Sequence, residues 1–285
     1  MSEDRFNSIA ILDAIPNGEL NTARCLREDL IDIATYSAGG FAVRYFRVET
    51  IDNLETGISA LLSEATDSGL KPWLHVEGHG LDDESGFITA NSSHCSWDHL
   101  KELITPLNRA TDFNLILILA TCFGGSFARA ISTVDRAPIL GLIGPTREIT
   151  IGEVEIDFPE FYRTFFETGS LKQSIDALTR HASSDLYFRT TAERFFYDVW
   201  ASYKRNACSK EQIRQRARRM YREAKSQNLP KTPSIGQLKR LLKSKEKEEV
   251  LFAKYRDNYF MYDIKASNRT RFPVTYKEAE AYASR

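Results

Sequence analysis

Trp73-Leu74-His75-Val76-Glu77-Gly78-His79-Gly80 and Leu115-Ile116-Leu117-Ile118-Leu119-Ala120-Thr121-Cys122-Phe123-Gly124-Gly125-Ser126 decide how this chain is read. Each is an apolar run that stops at a reactive side chain flanked by glycine. Apolar runs of this length, bounded by turn residues, predict buried parallel strands. In an open α/β sheet, chemistry collects at the carboxyl ends of the strands. His79 and Cys122 are therefore expected at two strand tips, about forty residues apart in the chain and side by side in space. A thiol beside an imidazole is the minimal equipment for nucleophilic catalysis.

Working outward from these runs, the chain alternates strand and helix patterns. Ser8 to Ala14 reads as a first buried strand ending at a Pro16-Asn17-Gly18 turn. Leu20, Ala23, Leu26, Leu30 and Ile33 then follow helical spacing, which predicts a helix over 19–36. A second strand (41–48), a helix (51–66) and the strand reaching His79 come next. Gly86-Phe87-Ile88-Thr89 reads as one arm of a hairpin. Ser96 or Asp98 is placed to cap a helix running to Leu107. The strand before Cys122 is followed by an expected helix from Gly125 to Ser132, a strand over 138–143 and helices over 153–168 and 170–183. An edge strand over 185–190 closes the series. The order predicts an α/β fold, a mostly parallel sheet of about six strands with helices on both faces. No internal repeat is visible.

Composition narrows the class. With 285 residues, 42% of them hydrophobic, the chain can bury a real core. Its formal net charge of −1 names no partner, but the charge is unevenly spread. Residues 1–208 hold 18 Lys/Arg and 30 Asp/Glu, whereas residues 209–285 hold 20 and 9. The asymmetry suggests two zones: a domain over 1–190 and a basic, mainly helical C-terminal region over 191–285. The segment after Met1 lacks a basic region followed by an apolar core, and no apolar stretch approaches the ~20 residues that span a bilayer. Cys25, Cys95, Cys122 and Cys208 show no paired spacing, which favours reduced thiols and a cytoplasmic setting.

His-Gly at the end of one strand, then a hydrophobic strand ending Ala120-Thr121-Cys122-Phe123-Gly124-Gly125, resembles the caspase-like (clan CD) cysteine peptidases. Within them it is most similar to the separase-like CHAT group. Phe161-Tyr162 followed by Gly169-Ser170-Leu171 resembles a spacing that this group carries after its cysteine strand. The resemblance covers roughly residues 6 to 190. It implies a caspase-like three-layer sandwich and endopeptidase activity on protein substrates, with a thioester acyl-enzyme and a role in bacterial stress or defence. It also implies control by an activating or inhibitory protein partner. By resemblance, His79 is base and acid, Cys122 the nucleophile, and the backbone N–H groups of Gly80 and Cys122 form the oxyanion hole.

The residues add physical detail to that implication. Only a thiolate attacks a carbonyl, so Cys122 needs activation. His79 can take its proton and later protonate the leaving amine. The helix expected after Cys122 would aim its positive end at the sulfur. Gly124 and Gly125, without β-carbons, would let substrate approach. On a strand His75, Glu77 and His79 share one face, so Glu77 is expected to orient His79 or line a pocket. His75 and His79 have the i, i+4 spacing of a helical metal site, but Gly78 and Gly80 argue against a helix. No metal or organic cofactor follows from the mechanism. His94, Cys95 and His99 read as loop and helix surface.

Clan CD enzymes that cut after Arg or Lys line their pocket with acids, so the resemblance points to Asp13, Glu77, Glu148 and Asp157 as candidate pocket residues and to a basic preference. The separase-like pattern places an acid about ten residues before Phe161; here Ile151 stands there. Thr121 occupies the position where metacaspases carry Asp.

Two other readings compete. An α/β-hydrolase orders its triad nucleophile, acid, histidine, which Cys122, Asp157 and His181 would satisfy, although that fold wants glycine where Ala120 stands. The alternative is a catalytically inactive adaptor binding protein or nucleic acid through the basic C-terminal region. There an arginine-rich helix is expected over 211–227 and another helix over 235–255, with nearby Tyr or Phe available to stack on bases.

Overall fold

Buried β-branched and leucine-rich runs make strands here because both sheet faces are covered, so every position of β1 (Ser8–Asp13) and β3 (Pro72–Glu77) is buried. The computed structural model describes residues 6–36, 41–180, 185–227 and 232–285. Six strands form one sheet in the order β2-β1-β3-β6-β7-β8, with β2 at Ala42–Arg47, β6 at Ile116–Ala120, β7 at Gly141–Pro145 and β8 at Tyr187–Thr191. All neighbours are parallel except the β7–β8 pair. The expected α/β architecture, a mostly parallel six-stranded sheet with helices on both faces, is the one found.

Alternation along the strands divides the helices between two faces. Ile9, Ile11, Trp73, Ile116, Ile118 and Ile143 point to a core shared with α1 (Thr22–Tyr36), α4 (Ile151–Thr168) and α5 (Leu171–Leu178). The intervening Leu12, Leu74, Val76, Leu117, Leu119 and Leu142 face the other way. There α2 (Ile51–Ser68) and α3 (Trp97–Ala110) bury Leu54, Ile58, Leu61, Leu100, Ile104 and Leu107. The hairpin expected around Gly86 is present, as β4 (Gly86–Ile88) paired with β5 (His94–Ser96).

Two expected elements differ. Residues Gly124–Ala130 form a 3-10 helix rather than an α-helix, because Phe123 adopts a left-handed backbone (φ 57°, ψ 23°) and tightens the turn. Helix α1 starts at Thr22 rather than Glu19. The Asn21 side chain accepts the Arg24 N–H at 2.7 Å and caps the helix there, leaving Glu19 and Leu20 in the loop after β1.

The described chain divides into two compact units, one of residues 1–132 and 137–191, the other of 133–136 and 192–285. The second contains α6 (Ala192–Ala207), α7 (Lys210–Ser226), α8 (Ile235–Lys243), α9 (Lys245–Tyr259), α10 (Asn268–Arg271) and α11 (Tyr276–Ala283). The single helix expected over 235–255 is split by Ser244, which ends α8 and caps α9 by accepting the Lys247 N–H. Phe196, Trp200, Phe252, Tyr259, Phe260 and Phe272 make this unit's aromatic core.

Candidate active site

The register of β3 on β6 pairs Glu77 with Ala120, so two residues later His79 and Cys122 leave adjacent strands at the same level. Both line one cleft at the carboxyl edge of the sheet. Gly80 is what allows the two tips to meet: a β-carbon there would collide with the carbonyl oxygen of Cys122. The hairpin braces the same segment, with Ile88 N–H bonded to the His79 carbonyl and Leu81 N–H to that of Gly86, both at 2.9 Å.

Cys122 is half-buried, and its Sγ lies 3.8 Å from the Ile149 carbonyl oxygen. Phe123, in its left-handed conformation, turns the chain sharply away just after the sulfur. Among the described residues, the N–H groups of Gly80 and Cys122 donate to no backbone acceptor. The glycines after Cys122 have a different task from the expected one. A β-carbon on Gly124 would press on Leu119 at 2.7 Å, and one on Gly125 on Phe188 at 2.7 Å, so they pack the turn against the sheet rather than opening it to substrate. The Gly124 and Ser126 N–H groups bond to Thr121 and Phe123 within the turn, and a 3-10 helix of seven residues offers little dipole to the sulfur.

His79 is half exposed and its Nε2 lies 2.8 Å from Glu19 Oε2. Sequence reasoning missed this acid, having placed Glu19 inside a helix. The available signal was the Pro16-Asn17-Gly18 turn, which ends β1 beside β3 and lays the next residues over the strand tips. Glu19 thus occupies the position offered to Glu77. Glu77 instead lies 2% exposed at the floor of the cleft, accepting from the Thr22 hydroxyl and lying 3.0 Å from His75 Nε2. His75 Nδ1 is in turn 3.2 Å from the Tyr162 hydroxyl. Thr22, His75 and Tyr162 thus form one buried hydrogen-bonded chain on Glu77. Burial, reinforced by the charge of Glu77, raises the Tyr162 phenol well above its usual value, so it remains a donor.

The other candidate pocket acids do not line the cleft. Asp13 is fully buried. It accepts from the Ile15 N–H at 3.0 Å, the Asn21 side chain at 2.7 Å and the Tyr45 hydroxyl, and it pairs with Arg47 at 2.8 Å. It anchors the loop that carries Glu19 and Leu20. Asp157 is buried and accepts from the Tyr187 hydroxyl at 2.7 Å. Glu148 is exposed on the loop before α4. His181 lies outside the described residues; of the alternative triad, Cys122 lines the cleft while Asp157 faces Tyr187. In the second cluster, His99 pairs with Glu55 at 3.0 Å, His94 is exposed and Cys95 is buried. Burial, and behind it the charge of Glu55, pushes the Cys95 thiol up to about 12.

No family model matches the chain, and no curated protein does. Among solved structures it is similar to the complex of the pro- and mature domains of RgpB from Porphyromonas gingivalis. Identity is 14% and the TM-score 0.42, over 66% of this chain and 48% of that one. It is similar to the same degree to the Arg-specific cysteine proteinase gingipain R (RGPB), at 14% identity and TM-score 0.43, over 66% of this chain and 47% of that one. The chain spans about half the length of these structures. Among the described residues, no helix is long and apolar enough to cross a membrane.

Proposed function

We propose that the protein is a cysteine endopeptidase of the caspase-like kind, with Cys122 as nucleophile and His79 as base and acid. One observation carries this reading: the β3–β6 register brings an imidazole and a half-buried thiol to the same end of the sheet, on one cleft. Glu19 on Nε2 fixes the imidazole tautomer, leaving Nδ1 as the proton acceptor. His79 takes the Cys122 proton, and the thiolate attacks the peptide carbonyl. The N–H groups of Gly80 and Cys122 receive the oxyanion; one such donor is worth roughly 3 kcal/mol in a hydrolase. The imidazolium then protonates the departing amine, leaving a thioester that water cleaves by the reverse proton path. The partners in this reading are a substrate protein and a regulatory protein, in a cytoplasmic stress or defence setting. The chemistry calls on no cofactor.

A screen of diverse peptides tests it. Wild type and His181→Ala are expected to cleave, whereas Cys122→Ala and His79→Ala lose cleavage. Activity that survives His79→Ala and vanishes in His181→Ala would instead favour the hydrolase order.

A second reading has its own observation. Lys210, Arg214, Arg218 and Arg222 stand exposed at i, i+4 steps on α7, beside a stripe buried through Ile213, Ala217 and Ala224. Like charges at that spacing destabilise a helix by about 0.2–0.5 kcal/mol per pair. The row suits phosphates. Tyr259, Phe260 and Phe272 are in the core, whereas Tyr221 on α7 is half-buried. Nucleic-acid binding that weakens with salt and is lost in Arg214→Glu/Arg218→Glu would support an adaptor role.

A further inference from the structure

The cleft beside Cys122 is walled by aliphatic side chains from two segments. Ile15 and Leu20 come from the loop after β1, Ile149 from the loop before α4, and Ile151 and Val154 from the start of α4. Two of them are unusual for their size: Leu20 is 53% exposed and Ile151 48% exposed. Large aliphatics left in water around one cleft mark a surface that something apolar covers. Both walls are also held in place. Asp13 pins the β1 loop through Ile15 and Asn21, and a Thr150–Glu153 capping box fixes the first turn of α4.

The acids that would select a cation are committed elsewhere. Asp13 and Asp157 are buried in their own networks, Glu148 is outside the cleft, and Glu19 holds His79. Glu77 is at the floor, but its two oxygens already serve Thr22 and His75 beneath a 2% exposed surface. The side chain on the acyl side of the scissile bond is attached one bond from the attacked carbonyl, so it is the one that enters a pocket touching the nucleophile.

Building on the peptidase reading, we infer that this cleft selects an aliphatic side chain of leucine, isoleucine, valine or methionine type immediately before the cut, with Leu20 and Ile151 as the specificity-determining residues. Apolar walls hold an apolar side chain by removing both from water, at roughly 25 cal/mol per Å2 buried. An arginine or lysine in the same place would lose its hydration with only Glu77 and Glu19, both already engaged, to meet it.

The test compares two peptidyl acyloxymethyl ketone probes, identical except for leucine or arginine at that position, by the rate of Cys122 labelling on intact protein. The leucyl probe is expected to react at least tenfold faster. Leu20→Ala and Ile151→Ala each reduce that preference about tenfold, the order seen for lost methylenes in a hydrophobic pocket. Both positions are at the surface, so folding is not at stake. Faster labelling by the arginyl probe overturns the aliphatic pocket while leaving the peptidase reading standing. Failure of both probes to label Cys122 overturns both. An unchanged preference in the two variants removes Leu20 and Ile151 as its cause.

Discussion

His79 is tied to Glu19, and that contact has a measurable consequence. Glu19→Gln keeps a hydrogen-bond acceptor but removes the charge that matches the imidazolium, so cleavage is expected to fall by one to two orders of magnitude while peptide binding changes little. A steady-state comparison of kcat with KM checks this; an unchanged kcat would make Glu19 an incidental neighbour. The buried chain below the cleft answers to a stability measurement instead. Tyr162→Phe leaves His75 Nδ1 without its donor and is expected to cost about 1–3 kcal/mol in urea unfolding. Cys95 supplies an internal contrast to Cys122. Its buried thiol, pushed up to about 12, is expected to stay unmodified by thiol reagents at neutral pH in the folded protein.

At the level of elements, the strand tips depend on close approach. Gly80→Ala has no room for its methyl group against the Cys122 carbonyl and is expected to abolish cleavage by forcing the two tips apart. Thr150→Ala, which removes the α4 cap, should cost about 1 kcal/mol and loosen the wall that carries Ile149 and Ile151. The strands were legible in the sequence because burial on both faces leaves continuous apolar runs, and the pairing of β3 with β6 followed from their order. The loop after β1 was not legible. Leu20 sits in phase with Ala23 and Leu26, so periodicity drew it into the helix, whereas Asn21 caps that helix and frees Glu19 and Leu20 for the cleft. Asp13, Glu148 and Asp157 were expected at the pocket for a related reason, whereas Glu77 does line the cleft. Sequence places Asp13 at a strand tip, but only the structure shows Tyr45, Arg47 and Asn21 converging on it. Glycine content likewise does not say whether a glycine faces a ligand or its own fold, and Gly124 and Gly125 face their own.

For the whole chain, the charge asymmetry read from composition became a physical feature, a basic row on α7 in the second unit. That unit also has a pH signature. Arg136 forks onto Asp263, and this hydrogen bond lowers the Asp263 carboxyl from 3.8 to about 2. A depressed folded-state value stabilises the protein above pH about 4, and the contribution is lost as pH falls through about 2. The pair is largely solvent-exposed, so its worth is under about 1 kcal/mol. In urea unfolding, Arg136→Ala should therefore be slightly less stable than wild type at pH 6, with the gap closing toward pH 2. A gap that persists unchanged at pH 2 would assign the loss to packing rather than charge.

The central claim is that Cys122 is activated by His79, and the most direct measurement is the rate at which a thiol-reactive peptidyl acyloxymethyl ketone modifies each of the four cysteines in wild type and in His79→Ala, followed by peptide mapping. The account predicts labelling concentrated on Cys122 in wild type, slowed at least a hundredfold in His79→Ala. Labelling spread over the exposed Cys25 and half-buried Cys208, at rates the histidine substitution does not change, would contradict it.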